Sequence, residues 1–508
     1  MLNAPTGNAR TPRLDRAASF LEAIPTSPHA YLALLGLLAI IFTLGNFPWH
    51  LDNYDQAKQA YVAYEIAETG ELLYQTTPRG RSASKPPLYG WASSAFRAIG
   101  LPWDAAHRLP SLICAFGVLA LLIASGRALL GPPGAFLAAA AYGLNLLTPR
   151  LATLVRTDMM LAATIFVIGW MIYLRVSSGT PWTTRDRWIV FAAMAAGLFT
   201  KGPVLYVFLL PGMFAFAILA QPRDRRRLVW SGWWTWVVPL ALFLAWGVGG
   251  LLTNDAFYDD VVVRELFSRF EAGARDDERP QPIWFYFPHV LHKFLPWSAA
   301  LLALPFLFPT VRQRVRANPG TLWLLLWAGG GLVLMTLIPA KRVDRIYPII
   351  PPMALLAVEF AAALWSDRRA RVGAGALSLF GFLFTGGYFL GLIPWGYAND
   401  TPGLVNFAAD VRRTADQNGI DEITILRARD ESLLLYLDTL RFTEKGDAFD
   451  AWRTGQPGAY LMSDRTLRNN FTPEFGEIPP VLVSDELFRK NEKRYYLFLR
   501  QPDPTPAP

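Results

Sequence analysis

Cysteine is almost absent from this chain: Cys114 stands alone among 508 residues. A lone thiol forms no intrachain disulfide and no thiolate cage, which excludes a disulfide scaffold and a cysteine-based zinc framework. Cys114 lies in the apolar run SLICAFGVLALLIA and reads as a small buried hydrophobe. Charge is the second scarcity. Asp, Glu, Lys and Arg make up 17% of the residues, against about 25% in soluble domains. The deficit points to lipid as solvent, and 53% hydrophobic residues with a mean hydropathy of +0.25 agree. Also missing are an internal repeat and a small-residue cleavage site after the first apolar run, where Asn53-Tyr54-Asp55 follows instead. The stretch 31–49 therefore reads as a retained first membrane helix with its N-terminus in the cytoplasm. It is long enough, about 20 apolar residues sufficing to span a bilayer.

What is present fits a membrane protein. Eighteen Trp and eighteen Tyr suit the two interfacial belts. The net charge of +8 does not indicate nucleic acid, because the basic residues are dispersed among apolar helices. Cytoplasmic loops and anionic headgroups account for them. Further apolar runs occupy about 110–126, 133–148, 158–176, 188–200, 202–219, 231–252, 289–308, 321–338, 347–364 and 373–395. The fold class expected is a polytopic α-helical membrane protein of about 11–13 transmembrane helices with a C-terminal soluble α/β domain. Three basic clusters, at 223–227, 312–316 and 368–371, separate successive runs and are cytoplasmic by the positive-inside rule. The loops 149–157, 253–288 and 339–346, Thr200-Lys201 and the C-terminal tail then fall outside. The domains expected are a cytoplasmic segment 1–27, a transmembrane catalytic domain 28–398 with its first periplasmic loop at 50–109, and an α/β domain over 399–500. The Pro-rich tail 501–508 is expected to be disordered. Residues 86–100 are either a shallow interfacial helix or part of an additional membrane pair.

The stretch from Asp52 to Trp91 carries most of the early charge: Asp52, Asp55, Lys58, Glu65, Glu68, Arg79, Arg81 and Lys85. Ionisable residues at a bilayer edge are costly unless paired or used, so each is a functional candidate. Residues 54–68 have the pattern of an amphipathic helix lying flat on a membrane, ended by Gly70. Lys85-Pro86-Pro87 makes a rigid turn that holds Lys85 at the base of the loop. Other outward segments carry Arg156-Thr157-Asp158, Thr200-Lys201-Gly202-Pro203, Arg264, Glu265, Arg269 and Lys293, and Lys341-Arg342-Val343-Asp344-Arg345-Ile346-Tyr347. Several cations on a face where few are expected point to an anionic ligand such as a lipid phosphate. The alternative is pairing with Asp55, Asp158 and Asp344. Asp55 and Asp158 both lie at helix–loop junctions, where one could act as general base; Asp158 could instead cap the helix that follows. From Asn399 the composition changes to a charged helix over 404–418, strand-like runs at 423–426, 460–462, 481–483 and 495–499, and a helix-like stretch at 431–437.

An acid just after the first membrane helix, a KPPL turn, RLPS (108–111), RTDMML (156–161), TKGP (200–203) and KR…YPIIPP (341–352) together resemble the GT-C glycosyltransferases. The chain is most similar to the aminoarabinose transferases of lipid A, with the protein O-mannosyltransferases as wider relatives. The resemblance implies a multi-pass enzyme of the bacterial inner membrane whose active site and C-terminal domain are periplasmic. Its partners would be a polyprenyl-phosphate (undecaprenyl-phosphate) sugar donor, a lipid A or lipopolysaccharide acceptor and membrane lipids, with inversion at the sugar. Asp55 matches the catalytic acid, and Asp158 stands second to it. Lys85, Arg156, Lys201, Arg269, Lys341 and Arg342 would hold lipid phosphate, with Tyr347 lining the same pocket. A divalent metal is the one cofactor the resemblance raises, since such relatives can hold one with an acid beside the KPP lysine and a His in the long loop. Here Ser84 and Arg264-Glu265 stand at those places, and His289 and His292 share a helical face without a third ligand nearby, so no metal ligand is assigned. Two other classes compete: a GT-C enzyme acting on another polysaccharide or a protein, and a transporter or flippase, which would be expected to show repeats or charged broken helices at the bilayer midplane.

Overall fold

A computed structural model describes residues 12–46, 51, 54–266, 281–302, 304–399, 403–426, 431–443, 445–454, 456–468, 478–484 and 494–500. Two compact units result: Met1–Asn46 with Pro110–Val248 and Arg264–Pro394, and Phe47–Leu109 with Gly249–Val263 and Trp395–Pro508.

The first unit is a helix bundle, and among the described residues most of each apolar run of the sequence falls on helix. Among the described residues six helices are long and apolar enough to cross a membrane, or seven if the pair Asp15–Thr26 and Pro28–Leu44, bent by 63°, counts as one span. The chain is thus a multi-pass membrane protein. Its longest helical stretch, Trp103–Gly143, breaks at Leu130-Gly131, where Gly131 takes φ +65° ahead of Pro132-Pro133. A Cβ on Gly126 would lie 2.2 Å from the Gly134 carbonyl oxygen and 2.9 Å from Ala138 Cβ. The two arms therefore fold back on each other as a hairpin, which only a left-handed residue at the corner permits. Small residues also set the bundle's centre. Gly212 on Val204–Leu219 meets the backbone of Trp327 on Pro319–Leu337, a Cβ there approaching Trp327 Cα to 2.8 Å. The Trp327 ring covers Gly169, and Trp323 Nε1 donates to the Gly169 carbonyl at 2.8 Å. Close backbone approach through small residues supplies the dispersion contact that replaces a hydrophobic driving force in lipid.

Toward the basic-cluster end of the bundle Glu359 is fully buried. It accepts from Tyr173 Oη (2.6 Å), Arg314 Nη2 (2.7 Å), Asn318 Nδ2 (3.1 Å) and Thr321 Oγ1 (3.3 Å). One carboxylate thereby ties the helices Thr157–Ser178, Leu304–Ala317, Pro319–Leu337 and Ile350–Leu364. The expected polar segment 1–27 is helical over Pro12–Ala23, with Glu22 paired to Arg368 (3.1 Å) and Arg371 (2.7 Å).

The second unit combines the first loop with the C-terminal domain. Its sheet has the order β1-β2-β4-β3, with β1 (Ile423–Leu426) parallel to β2 (Gly458–Ser463), and β4 (Tyr495–Arg500) antiparallel to both β2 and β3 (Leu482–Val483). Period-two alternation places Ala459, Leu461 and Leu497 in a core with Phe407 and Val411 of the helix Gly403–Gln417. Tyr460, Met462 and Phe498 pack with Trp452 of the helix Lys445–Arg453 on the other side. The helix Leu88–Ala98 has 11 residues, about half of a membrane span. Residues 86–100 therefore do not cross a bilayer by themselves. The helix Tyr54–Thr69 differs from expectation. It does not lie with one face left to lipid, because Gln56, Gln59, Tyr61, Val62, Tyr64, Glu65 and Ile66 are all buried by protein. Val62 and Ile66 approach Gly90 so closely that a Cβ there would sit 2.8 Å from Ile66 Cδ1, and Ser94 Oγ donates to the Ala63 carbonyl at 2.8 Å.

Replacing Glu359 by Ala deprives four donors of their shared acceptor and is expected to lower stability by about 3–5 kcal/mol. Glu359→Gln, which keeps one acceptor oxygen, should lose less. The melting midpoints of both variants in detergent micelles test this.

Candidate active site

Three separated segments of the first unit meet in one chain of ion pairs. Ser111 Oγ donates to the Leu154 carbonyl at 2.8 Å and the Arg156 carbonyl at 3.3 Å, fixing the turn before the helix Thr157–Ser178. Arg156 is extended at the N-cap and Asp158 sits in the first helical turn. Asp158 does not use its carboxylate as a cap. One oxygen takes the Lys201 ammonium, and the other pairs with Arg156 Nε at 3.2 Å. Lys201 reaches it from the last turn of the helix Thr184–Lys201, which Gly202 ends with φ +74°. Arg156 continues outward to Asp344 (2.5 Å), and Asp344 pairs with Arg342 (3.5 Å). Side-chain exposure rises along this chain from 4% at Asp158 to 37% at Arg342, so the arginine end is the accessible one. These five side chains hold three cations and two carboxylates. Of the two readings open for these cations, internal pairing with Asp158 and Asp344 is realised.

Two further predicted site residues lie in the same unit. Lys341 is buried, donates to the Gln281 carbonyl at 3.1 Å, and has its ammonium pushed below the usual lysine range by that burial. Tyr347 is fully buried, with its hydroxyl 3.2 Å from both Tyr142 Oη and Thr148 Oγ1. Asn145 shapes that corner, accepting from the Leu147 and Thr148 amides at 3.0 and 2.9 Å. In this conformation Tyr347 supports the 148–152 segment from within.

Asp55 and Lys85 lie in the second unit. Asp55 is half-buried in the first turn of Tyr54–Thr69, and Lys85 is half-buried just ahead of Leu88–Ala98. The close packing of those two helices against Gly90 fixes the acid and the lysine on one rigid piece. Arg269 falls outside the described residues, as does the charged stretch 271–279; the side chains of Arg264 and Glu265 are likewise not described. The residue beside Lys85 is Ser84, a neutral hydroxyl where a carboxylate ligand would be needed, and among the described residues no three His, Cys, Asp or Glu side chains assemble as metal ligands. The residues present do not fit a divalent metal held in that way. Sequence reasoning missed the partners of Glu65: Arg441 and Thr76, far away along the chain or hidden in a loop.

Comparison with known proteins bears on the fold. Residues 84–248 match the dolichyl-phosphate-mannose-protein mannosyltransferase family. The undecaprenyl phosphate-alpha-4-amino-4-deoxy-L-arabinose arabinosyl transferase of Shewanella sediminis is 22% identical over 64% of this chain and 58% of its own length. That of Yersinia enterocolitica serotype O:8 is 26% identical over 72% of this chain and 65% of its own. The chain thus spans less than two thirds of either relative. The crystal structure of ArnT from Cupriavidus metallidurans bound to undecaprenyl phosphate superposes with a TM-score of 0.67 at 17% identity, covering 93% of this chain and 99% of that one. The fold is that of the GT-C glycosyltransferases.

If the Asp158–Lys201 pair is one buried unit, Asp158→Asn and Lys201→Met should each destabilise the protein, and the double variant should lose less than their sum. A coupling of about 0.5–3 kcal/mol is expected, read from a double-mutant cycle of thermal midpoints in micelles.

Proposed function

We propose that this GT-C chain is an inverting glycosyltransferase that moves a sugar from a polyprenyl phosphate, undecaprenyl phosphate in particular, to lipid A or lipopolysaccharide. The observation that carries the reading is the gathering of Lys201, Arg156 and Arg342 about Asp158 and Asp344, in a fold whose solved relative binds undecaprenyl phosphate. The leaving group of such a donor is already a phosphate. It calls for cations to absorb charge rather than for a proton donor. Arg342, Arg156, Lys85, Lys341 and Arg269 are the candidates for that task, and Lys201 holds Asp158 in place. Asp158 is then an organiser of cations, because both its oxygens are engaged. Asp55, which stands where the resembling family has its first-loop acid, is in this reading the catalytic carboxylate. With a hydroxyl acceptor it takes the proton. With a phosphate acceptor, ionised near neutral pH since its second pKa is about 6, it positions the nucleophile and stabilises charge at the sugar. The basic clusters at 223–227, 312–316 and 368–371 support a cytoplasmic face there, and with it the reading of a periplasmic active site and C-terminal domain at the bacterial inner membrane.

The match over 84–248 to protein mannosyltransferases supports a second reading, in which the acceptor is a hydroxyl of a polysaccharide or a protein. Ser84 in place of an acid also separates this chain from the metal-holding relatives.

Binding of labelled undecaprenyl phosphate to the protein in vesicles tests the proposal. Lys85→Ala should weaken binding about tenfold or more, the loss of one charge-assisted contact. Asp55→Asn should leave binding intact and reduce transfer about 10²- to 10⁴-fold if the acceptor is a hydroxyl. Absence of saturable binding by the wild type would contradict the proposal, and near-full transfer by Asp55→Asn would remove general-base catalysis.

A further inference from the structure

A short hairpin in the first loop joins four parts of the second unit. Its arms pair through Thr76 and Ser82, with Ala83 N donating to the Gln75 carbonyl at 2.8 Å, and Gly80 turns it with φ +71°. Glu65, on the helix that bears Asp55, is buried against it and accepts from Thr76 N at 2.6 Å and from Thr76 Oγ1. Arg441 of the C-terminal domain binds the same group: Nη2 donates to Glu65 Oε1 (2.6 Å) and Thr76 Oγ1 (2.7 Å), while Nη1 donates to Tyr61 Oη and to the Thr77 carbonyl (3.3 Å). Tyr61 donates in turn to the Leu440 carbonyl, Phe442 N donates to the Pro78 carbonyl at 3.0 Å, and Leu51 N donates to Tyr436 Oη at 3.1 Å. On the hairpin's other strand, Arg81 makes a two-point contact with buried Asp260 at 2.7 and 3.2 Å. Lys85 follows three residues after Ser82.

We propose that Arg441 and Glu65 are positioning residues for the transfer reaction, through which the C-terminal domain sets where Asp55 stands. The inference rests on the reading of Asp55 as the catalytic carboxylate. Glu65 is ten residues along the helix from Asp55, about 15 Å at 1.5 Å per residue. A tilt of about 5° around Glu65 therefore moves Asp55 by about 1 Å, enough to lower a rate about 10²-fold. A single guanidinium contacts Tyr61, Glu65 and Thr76 at once, fixing the helix in rotation as well as in tilt. An ammonium at 441 would reach fewer of these acceptors, being a point charge rather than a planar fork.

The test uses the full-length protein in membrane vesicles, with Arg441→Ala, Arg441→Lys, Glu65→Gln, Tyr61→Phe and Asp55→Asn. Two readouts are taken: amide hydrogen exchange, and turnover of sugar-charged undecaprenyl phosphate with lipid A as acceptor. Arg441→Ala should speed exchange across 54–69 about tenfold or more while leaving 157–178 unchanged, and should lower turnover about tenfold or more at equal protein abundance. Arg441→Lys should recover part of both. Glu65→Gln combined with Arg441→Ala should lose little beyond either alone, as groups acting as one unit do. Turnover at the wild-type level in Arg441→Ala, or undiminished protection of 54–69, overturns the proposal. If Arg441→Ala fails to fold, Glu65→Gln and Tyr61→Phe carry the same comparison. Wild-type turnover by Asp55→Asn would instead overturn the catalytic reading of Asp55, while the exchange data still decide whether Arg441 holds the helix.

Discussion

A carboxylate taken out of water must find enough donors or give up its charge, and this requirement organises the whole molecule. Glu359 and Glu65 each meet it by drawing a cation and neutral donors from other segments, and Asp158 by drawing two cations. Glu359 closes one end of the bundle by binding four helices. Asp158 gathers Lys201 and Arg156, and through Asp344 brings Arg342 into line. Glu65 binds the first loop to the C-terminal domain. Each buried acid is a staple whose strength depends on every partner being present.

These staples divide structure from chemistry. A carboxylate with both oxygens engaged by cations is a poor proton acceptor, so Asp158 organises charge. Paired cations, in turn, are held at fixed positions before any ligand arrives. Preorganised charge needs little rearrangement as a phosphate leaves, which is where electrostatic catalysis gains its advantage.

Much of this was legible in the sequence, for identifiable reasons. Hydropathy located the helices because lipid imposes one solvent on every face. Alternating β-branched and aromatic residues located β1, β2 and β4, while the helix Lys445–Arg453 has too weak an apolar pattern to declare itself. The short motifs around Asp158, Lys201 and Arg342 pointed to one site because they stand at helix ends on one expected face. The helix Tyr54–Thr69 was read as lying on the membrane because periodicity reveals that a face is covered, not what covers it. Its cover proved to be protein: Gly90 and Ser94 on one side, Arg441 and Leu440 on the other. Glu359 was silent, and Glu65 stood among the candidates without its partners, for a related reason. A lone acid in a helix carries no local sign of partners that lie as far away as 186 and 376 residues along the chain.

The central claim is that the chain transfers a sugar from a polyprenyl phosphate to lipid A. Mass spectrometry of lipid A and of polyprenyl-phosphate sugars from a deletion strain, complemented with wild type or with Asp55→Ala, tests it most directly. The account predicts that one sugar disappears from lipid A, that its polyprenyl-phosphate form accumulates, and that wild type alone restores the modification. Unchanged lipid A and unchanged polyprenyl-phosphate sugars, in cells that normally express the protein, would contradict it.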